Sequence, residues 1–393
     1  MPGPMSGIKV VELGVWVVGP SVAALLADWG ADVVKIEPPA GDPGRAWTTD
    51  RNPVFELDNR GKRSITLDLW NDVATEVAGK LLGAADVFVT NLRPAALVSL
   101  AMDDATLVNA HPGLVYAHVT GYGSSGSERD RPAYDAGAFW SRAGVFGAMT
   151  PPGAPLPHPP GGSGDHVTSL AALGGVAAAL YARQQTGRGQ VVSTSLLRAG
   201  IFTVGSDVNM ALRLGTTFAP RPRTEAPNPL YNAYRTSDDR WLFLLGLQPD
   251  RHWEPVLEAL GRRDLLEDDR FTTTAARAQN APELIALMSE EFTTRDFASW
   301  SDRLDEVGVW WAPVQTPLDV IDDPAATGSG AFVSVPVTEG TGTMVAGPVD
   351  FSGTPWEVSR RAPEAGEHTE EILLELGYDW NAISGLRAAG ALG

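Results

Sequence analysis

Asp165 is the residue whose type and setting could do the most chemistry in this chain. It follows a glycine- and proline-rich loop, Pro159-Pro160-Gly161-Gly162-Ser163-Gly164, and heads a small-residue apolar run through Arg183 that reads as a helix. A carboxylate at a helix N-terminus meets free amide donors and the positive end of the dipole, which favours its ionised form. Two roles are open to it locally: an N-cap, for which Asp is a preferred type, or a nucleophile. A second cluster, Asn59-Arg60-Gly61-Lys62-Arg63-Ser64, places three cations within four residues. It is either a solvated turn or a cradle for a phosphate-bearing ligand.

Other chemistries lack their parts. Gly14 and Gly19 do not complete a G-x-G-x-x-G dinucleotide fingerprint, although Glu37 ends the second strand where a ribose ligand would stand. The histidines (His111, His118, His158, His166, His252, His368) form no H-x-x-x-H pair, so no metal site is expected. His111 and His368 read as surface residues. Gly121-Tyr122-Gly123-Ser124-Ser125-Gly126 only superficially resembles a serine-hydrolase elbow, because it leads into the charged run Glu128-Arg129-Asp130-Arg131; it reads as a lid or ligand loop. With no cysteine, disulfides, thiolate catalysis and zinc-thiolate sites are all excluded.

Alternating elements position these residues. Ile8–Leu13 reads as a strand, Ser21–Trp29 as a helix capped by Ser21, and Asp32–Glu37 as a second strand, which makes a βαβ unit and implies a parallel sheet. Ser64–Leu69, Asp86–Thr90, Leu114–Val119 and Gln190–Thr194 extend the strand series, with a helix over Asn71–Leu82. Near Pro220 the texture changes. A strand (Arg240–Leu245) and two amphipathic helices (Trp253–Leu260, Pro282–Phe292) suggest a second region ending near Gly328, and a tail whose Glu367–Leu376 helix could return to the first. The expected divisions are 1–221, 222–328 and 329–393.

At 393 residues and 44% hydrophobic content the chain can build real cores, and its net charge of -18 argues against nucleic acid or anionic lipid as partners. The N-terminal Met1-Pro2-Gly3-Pro4-Met5 shows no basic segment followed by an apolar one, and no apolar run approaches ~20 residues. A soluble cytoplasmic protein is expected.

Taken together, these segments resemble the class III CoA-transferases, the family that includes formyl-CoA transferase, carnitine CoA-transferases and the α-methylacyl-CoA racemases. The matching residues are Gly7–Leu13, Gly19-Pro20, Leu25–Glu37, Asn59–Ser64 with Leu67-Asp68-Leu69, Ala85–Pro94, Ala133-Tyr134-Asp135, Asp165 with its helix to Gln190, Asn232–Thr236 and Val307–Val314. They run in order along nearly the whole chain. The resemblance implies an α/β fold with a Rossmann-like large domain, a smaller α+β second domain, a C-terminal segment returning to the large domain, and an interlocked homodimer. It implies no tightly bound cofactor, with coenzyme A and acyl-CoA as substrates beside a free carboxylic acid.

The same resemblance makes Asp165 the catalytic nucleophile, attacking an acyl-CoA thioester and passing through anhydride and aspartyl-CoA thioester intermediates. Backbone amides of the glycine-rich surroundings would steady the developing oxyanions. Trp16 and Val17 resemble residues lining the CoA and substrate pocket, and Leu67, Asn91 and Leu92 resemble CoA contacts. Ser99 and Pro38 stand where members carry basic residues, so the phosphates would fall to Lys62, Arg63 or Arg93. Racemases carry a histidine before the Asp of the Ala133-Tyr134-Asp135 motif. Here that position is Tyr134, and a phenol ionising near ~10 is a poor base, which favours transferase over racemase or a non-catalytic CoA-binding homologue. His166 neighbours Asp165, but adjacent helical side chains diverge by about 100°, so it is not expected to replace that base. Formyl-CoA transferases carry a glycine run where this chain has Leu245-Gly246-Leu247-Gln248-Pro249, which argues for an acid larger or more apolar than formate or oxalate.

Overall fold

The computed structural model describes residues 3–47 and 52–393. Met1 and Pro2, which belong to the N-terminal stretch considered for a leader, lie outside the described residues. The chain divides into two compact units: Met1–Ala148, Pro157–Thr217 and Gly330–Gly393 form the first, Met149–Leu156 and Phe218–Ser329 the second.

Six parallel strands form the centre of the first unit: β1 (Lys9–Leu13), β2 (Asp32–Glu37), β3 (Arg63–Thr66), β4 (Val87–Thr90), β5 (Val115–Thr120) and β6 (Val191–Ser195). Their order, β3-β2-β1-β4-β5-β6, is that of a doubly wound sheet, with the reversal of direction between β1 and β4. Side chains alternate across it. Val10, Val33, Val87, Val89 and Ala117 pack into one core, and Val11, Leu13, Ile36, Phe88 and Tyr116 into another on the opposite face. Burial on both faces is why these strands read as nearly unbroken apolar runs.

The first helix spans Val18–Asp28, not Ser21–Trp29. Gly19 and Pro20 lie inside its first turn, where the amide that proline lacks would have had no helical partner. Val17 is the N-cap and makes no side-chain cap hydrogen bond. Asn71 does cap its helix (Asp72–Gly83), accepting from the Val73 amide.

The long helix that carries Asp165 spans Ser163–Thr186 and ends at Gly187, whose φ of 69° and hydrogen bond to the Arg183 carbonyl form a left-handed C-cap. Its small residues allow close approach: a Cβ on Gly175 would lie 2.5 Å from Val192 of β6. Beyond it, Gly189 donates to the Pro112 carbonyl at 2.9 Å, and a Cβ there would overlap the Leu114 carbonyl. Gly189→Ala must therefore move backbone at the entry to β6. We expect it to cost about 1–3 kcal/mol, seen as a lower urea midpoint with an unchanged slope.

The C-terminal segment of this unit forms an antiparallel hairpin, Phe332–Pro336 with Thr341–Val345, then the helices Thr369–Glu375 and Trp380–Ala388. It is held against the sheet by Arg63, which reaches Glu371 and Glu375, and by a bridge between Leu67 and Leu392. Gly121–Gly126, read as a lid, is tied down: Thr120 accepts from the Gly123 amide, Ser124 meets Ser193, and Arg131 and Arg142 pair with Glu128 beside the Tyr122 ring.

The second unit has a three-stranded antiparallel sheet, β7 (Ala233–Arg235), β8 (Trp241–Leu244) and β9 (Trp311–Val314), in the order β7-β8-β9. Helices Pro249–Leu260, Ala281–Phe292 and Phe297–Glu306 pack on it around Tyr234, Phe271, Phe292 and Trp300. The Trp300 indole N–H donates to the Phe292 carbonyl at 2.8 Å, which satisfies its polar edge inside the core. Gly246, the one glycine retained in its loop, is held by packing, since a Cβ there would lie 2.8 Å from the Leu230 carbonyl.

Candidate active site

Gly162, with φ of 70°, is the N-cap of the long helix, so Asp165 lies in its first turn and not at the cap. Gly164 is required beside it. A Cβ at that position would stand 2.6 Å from Phe139, and its amide donates to Asp135 Oδ2 at 3.3 Å. Asp135 itself is the N-cap of a π-helical turn, Ala136–Arg142, and makes no side-chain cap hydrogen bond there. Ser169 fixes the register of the helix by donating to the carbonyls of Val18 (2.9 Å) and Asp165 (2.8 Å). The N-terminal turns of two helices are thereby joined, and Val17 stands 3.5 Å from where a Gly162 Cβ would be.

The electrostatics differ from those expected of an N-terminal carboxylate. Burial first, then the negative charges of Asp135 and Asp58, push Asp165 up to about 7, against the opposing pull of His166. The helix end does not hold it ionised far into acid. His166 donates from Nε2 to Asp58 Oδ1 at 3.1 Å, and this hydrogen bond is the chief cause that raises its pKa, with the charges of Asp58, Asp165 and Asp135 adding to it. Asp58, at the end of helix Pro53–Asn59, has a side chain only 2% exposed. Three carboxylates and one imidazole thus share a small volume.

Aromatic rings cluster on the segments next to this group, Trp16 adjoining Val17 and Tyr134 adjoining Asp135. Trp16 packs edge-on to Trp47 (6.1 Å between centroids) and to Tyr134 (6.0 Å), and both partners are more than half exposed. Trp16 adopts a φ of 65°, costly for a non-glycine residue, and is held there by Asp42 Oδ1, which accepts from its amide at 3.1 Å. Asn91 clamps the same turn from the other side, accepting from the Val15 amide at 2.9 Å and donating to the Val15 carbonyl at 2.8 Å.

Several expected ligand contacts have other work. Lys62 is fully buried, bonded to Glu12 Oε2 (2.7 Å) and to the carbonyls of Asp58 and Pro20 (2.7 and 2.9 Å). Arg63 is enclosed by Asp32, Glu371 and Glu375. Neither cation is left to meet a phosphate, because the acidic partners that consume them lie elsewhere in the chain. The Leu67 side chain is buried in a core, and the Asn91 amide is spent on the turn. Leu92 packs partly against the same core as Leu67. Arg93, by contrast, is exposed at the start of helix Pro94–Ser99. His368, read as a surface residue, accepts the Ser64 amide on Nδ1 at 3.3 Å.

Asp58, His166, Trp47 and Asp42 were missed as site residues. Asp42, Trp47 and Asp58 sit in a segment with no periodic or motif signal of its own, and only the adjacency of His166 to Asp165 pointed this way. Among the described residues no group of His, Asp and Glu is arranged to hold a metal ion, and no helix is long and apolar enough to cross a membrane.

Comparison with known proteins places nearly the whole chain in one family. The model of CoA-transferase family III matches residues 5–369. The chain is 32% identical over 392 residues to (R)-2-hydroxy-4-methylpentanoate CoA-transferase of Clostridioides difficile, covering 98% of each protein. It is 31% identical to cinnamoyl-CoA:phenyllactate CoA-transferase of Clostridium sporogenes, covering 97% of this chain and 95% of that one. Among solved structures, a CAIB/BAIF family protein from Brucella suis superposes with a TM-score of 0.87 at 28% identity, over 96% of this chain and all of the other.

Proposed function

The chain belongs to CoA-transferase family III and is a CoA-transferase; from that premise we propose that Asp165 is its nucleophile and that its acid substrates carry apolar side chains. The carboxylate of Asp165 attacks the thioester carbonyl of the donor, the C–S bond breaks, and a mixed anhydride and CoA thiolate form. The thiolate then attacks the aspartyl carbonyl, expelling the donor acid as its carboxylate and leaving an aspartyl-CoA thioester. The acceptor carboxylate repeats the sequence in reverse: it attacks the aspartyl carbonyl, releases thiolate, and the thiolate takes the acceptor acyl group from the second anhydride. No water or net proton is consumed. The amides of Gly161 and Gly162, just before the helix, are the donors proposed to stabilise the oxyanions, since those of Ser163 and Gly164 already meet the Pro160 carbonyl and Asp135.

The observation that carries this reading is the placement of Asp165: partly buried, in the first turn of a helix, grouped with Asp135, Asp58 and His166, and without a salt bridge of its own among the described residues. Trp16, Trp47 and Tyr134 suit an apolar or aromatic acyl chain better than formate or oxalate. That fits the acids named for the two relatives. Arg93 is the basic residue proposed to face the CoA phosphates. Phe202, Leu212 and Leu214, each more than two-thirds exposed on consecutive helices, support burial against a second copy in a homodimer.

The reading is tested by incubating the protein with single acyl-CoAs, trapping with hydroxylamine and mapping the peptides by mass spectrometry. We expect a hydroxamate at Asp165 only with accepted donors, branched and aromatic acyl groups among them. Turnover with no adduct at Asp165 would overturn it.

A further inference from the structure

The acceptor acid must bring a carboxylate to a place already occupied by carboxylates. The groups acting on His166 are Asp58 from helix Pro53–Asn59, Asp165 from its own helix, and Asp135 from the segment before the π-helical turn, and all are acidic. Among the described residues, His166 is the group that draws Asp165 toward its charged form. Without it, the field around the nucleophile would repel an incoming anion.

The imidazole is built in. Its Nε2 donates to Asp58 Oδ1, which fixes the ring, and its Nδ1 makes no hydrogen bond among the described residues. The side chain is 38% exposed, whereas the Asp58 carboxylate behind it is almost wholly buried. Asp58 Oδ2 accepts no hydrogen bond among the described residues either. A buried carboxylate with one oxygen unpartnered is costly unless positive charge offsets it; the Lys62 ammonium lies behind Asp58, and protonation of His166 adds charge on the exposed side. An Asp that orients a histidine by one nitrogen leaves the other to act on a ligand.

We propose that His166, oriented by Asp58, binds the carboxylate of the acid substrate through Nδ1–H and holds it for attack at Asp165. Asp58 is then a positioning residue. The proposal rests on the reading of Asp165 as the nucleophile, and it assigns the acid subsite within that site. An acyl-CoA presents no free carboxylate at its thioester end, so its binding draws little on this contact. The free acid depends on it.

Separate KM values for acyl-CoA and for acid, taken from two-substrate kinetics, test it. His166→Gln is expected to raise the acid KM about ten- to a hundredfold while the acyl-CoA KM changes by less than about threefold. Asp58→Asn should move the acid KM the same way but less. In the native protein the acid KM should climb as pH rises through the titration of His166, and the Gln variant should lose that climb. If His166 merely pinned the helix to its neighbour, both KM values and kcat would worsen together and the pH dependence of the acid KM would persist. That pattern, or an unmoved acid KM, overturns the proposal. Failure of the native protein to form an Asp165 adduct would instead defeat the nucleophile reading, so the two failures are distinguishable.

Discussion

Asp165→Asn is expected to lower kcat by at least ~10⁴-fold while leaving the protein no less stable than the parent at pH 8. An amide in place of the carboxylate keeps the shape of the side chain but removes the nucleophile, so no anhydride forms and hydroxylamine traps nothing. The stability half of the expectation follows from the same geometry. The folded protein holds Asp165 near pH 7 against an ordinary value of 3.8, so it binds more protons than the unfolded chain between those limits. Stability from this group is therefore greatest when it is protonated, declines as pH rises through that window, and stays reduced above about 7. Asparagine cannot ionise and escapes that cost. In the native protein, adduct formation in a single turnover should fall as pH drops through about 7, since only the carboxylate attacks. A midpoint near 4 would show that neither burial nor the charges of Asp135 and Asp58 act on the nucleophile in this way. Melting curves at pH 5 and 8 check the other half: the parent should gain on the Asn variant at the lower pH.

Asp165 was visible from the chain, but its charge state was not, and the difference is instructive. A helix N-terminus favours an anion, and local reading stops there. Burial in the folded chain, with Asp135 and then Asp58 added from distant segments, reverses the sign of the net effect. The β-strands were legible to within a few residues because a sheet buried on both faces needs uninterrupted apolar runs such as Val10-Val11 and Val87-Phe88-Val89. The start of the first helix was misplaced because Ser21 looks like a cap, whereas the preceding turn is fixed by Asn91 and Asp42. Sequence pattern cannot show such partners.

Lys62 makes the point most sharply. In the chain it looks like a phosphate ligand in a basic turn. In the fold it is a wholly buried cation joining the first and second layers of the site: Glu12 on β1, the Pro20 carbonyl in the first helix, and Asn59 Oδ1 and the Asp58 carbonyl on the helix that orients His166. Burial pushes its pKa down to about 8, with Lys35 repelling it and Glu12 drawing it up. We expect Lys62→Met to cost about 3–5 kcal/mol, because one substitution strands Glu12 Oε2 and three further acceptors inside the protein. The pH dependence carries a second signature. Between about pH 8 and the ordinary lysine value of 10.5 the unfolded chain binds more protons, so this group makes the native protein more stable as pH rises through that range. The Met variant should lack that rise. Glu12→Gln with Lys62→Met together should cost less than the sum of the two single changes, since each single change leaves a charge or an acceptor uncompensated. Additive losses in urea unfolding would mean that Lys62 and Glu12 act independently, and that the clamp behind Asp58 is set by packing alone.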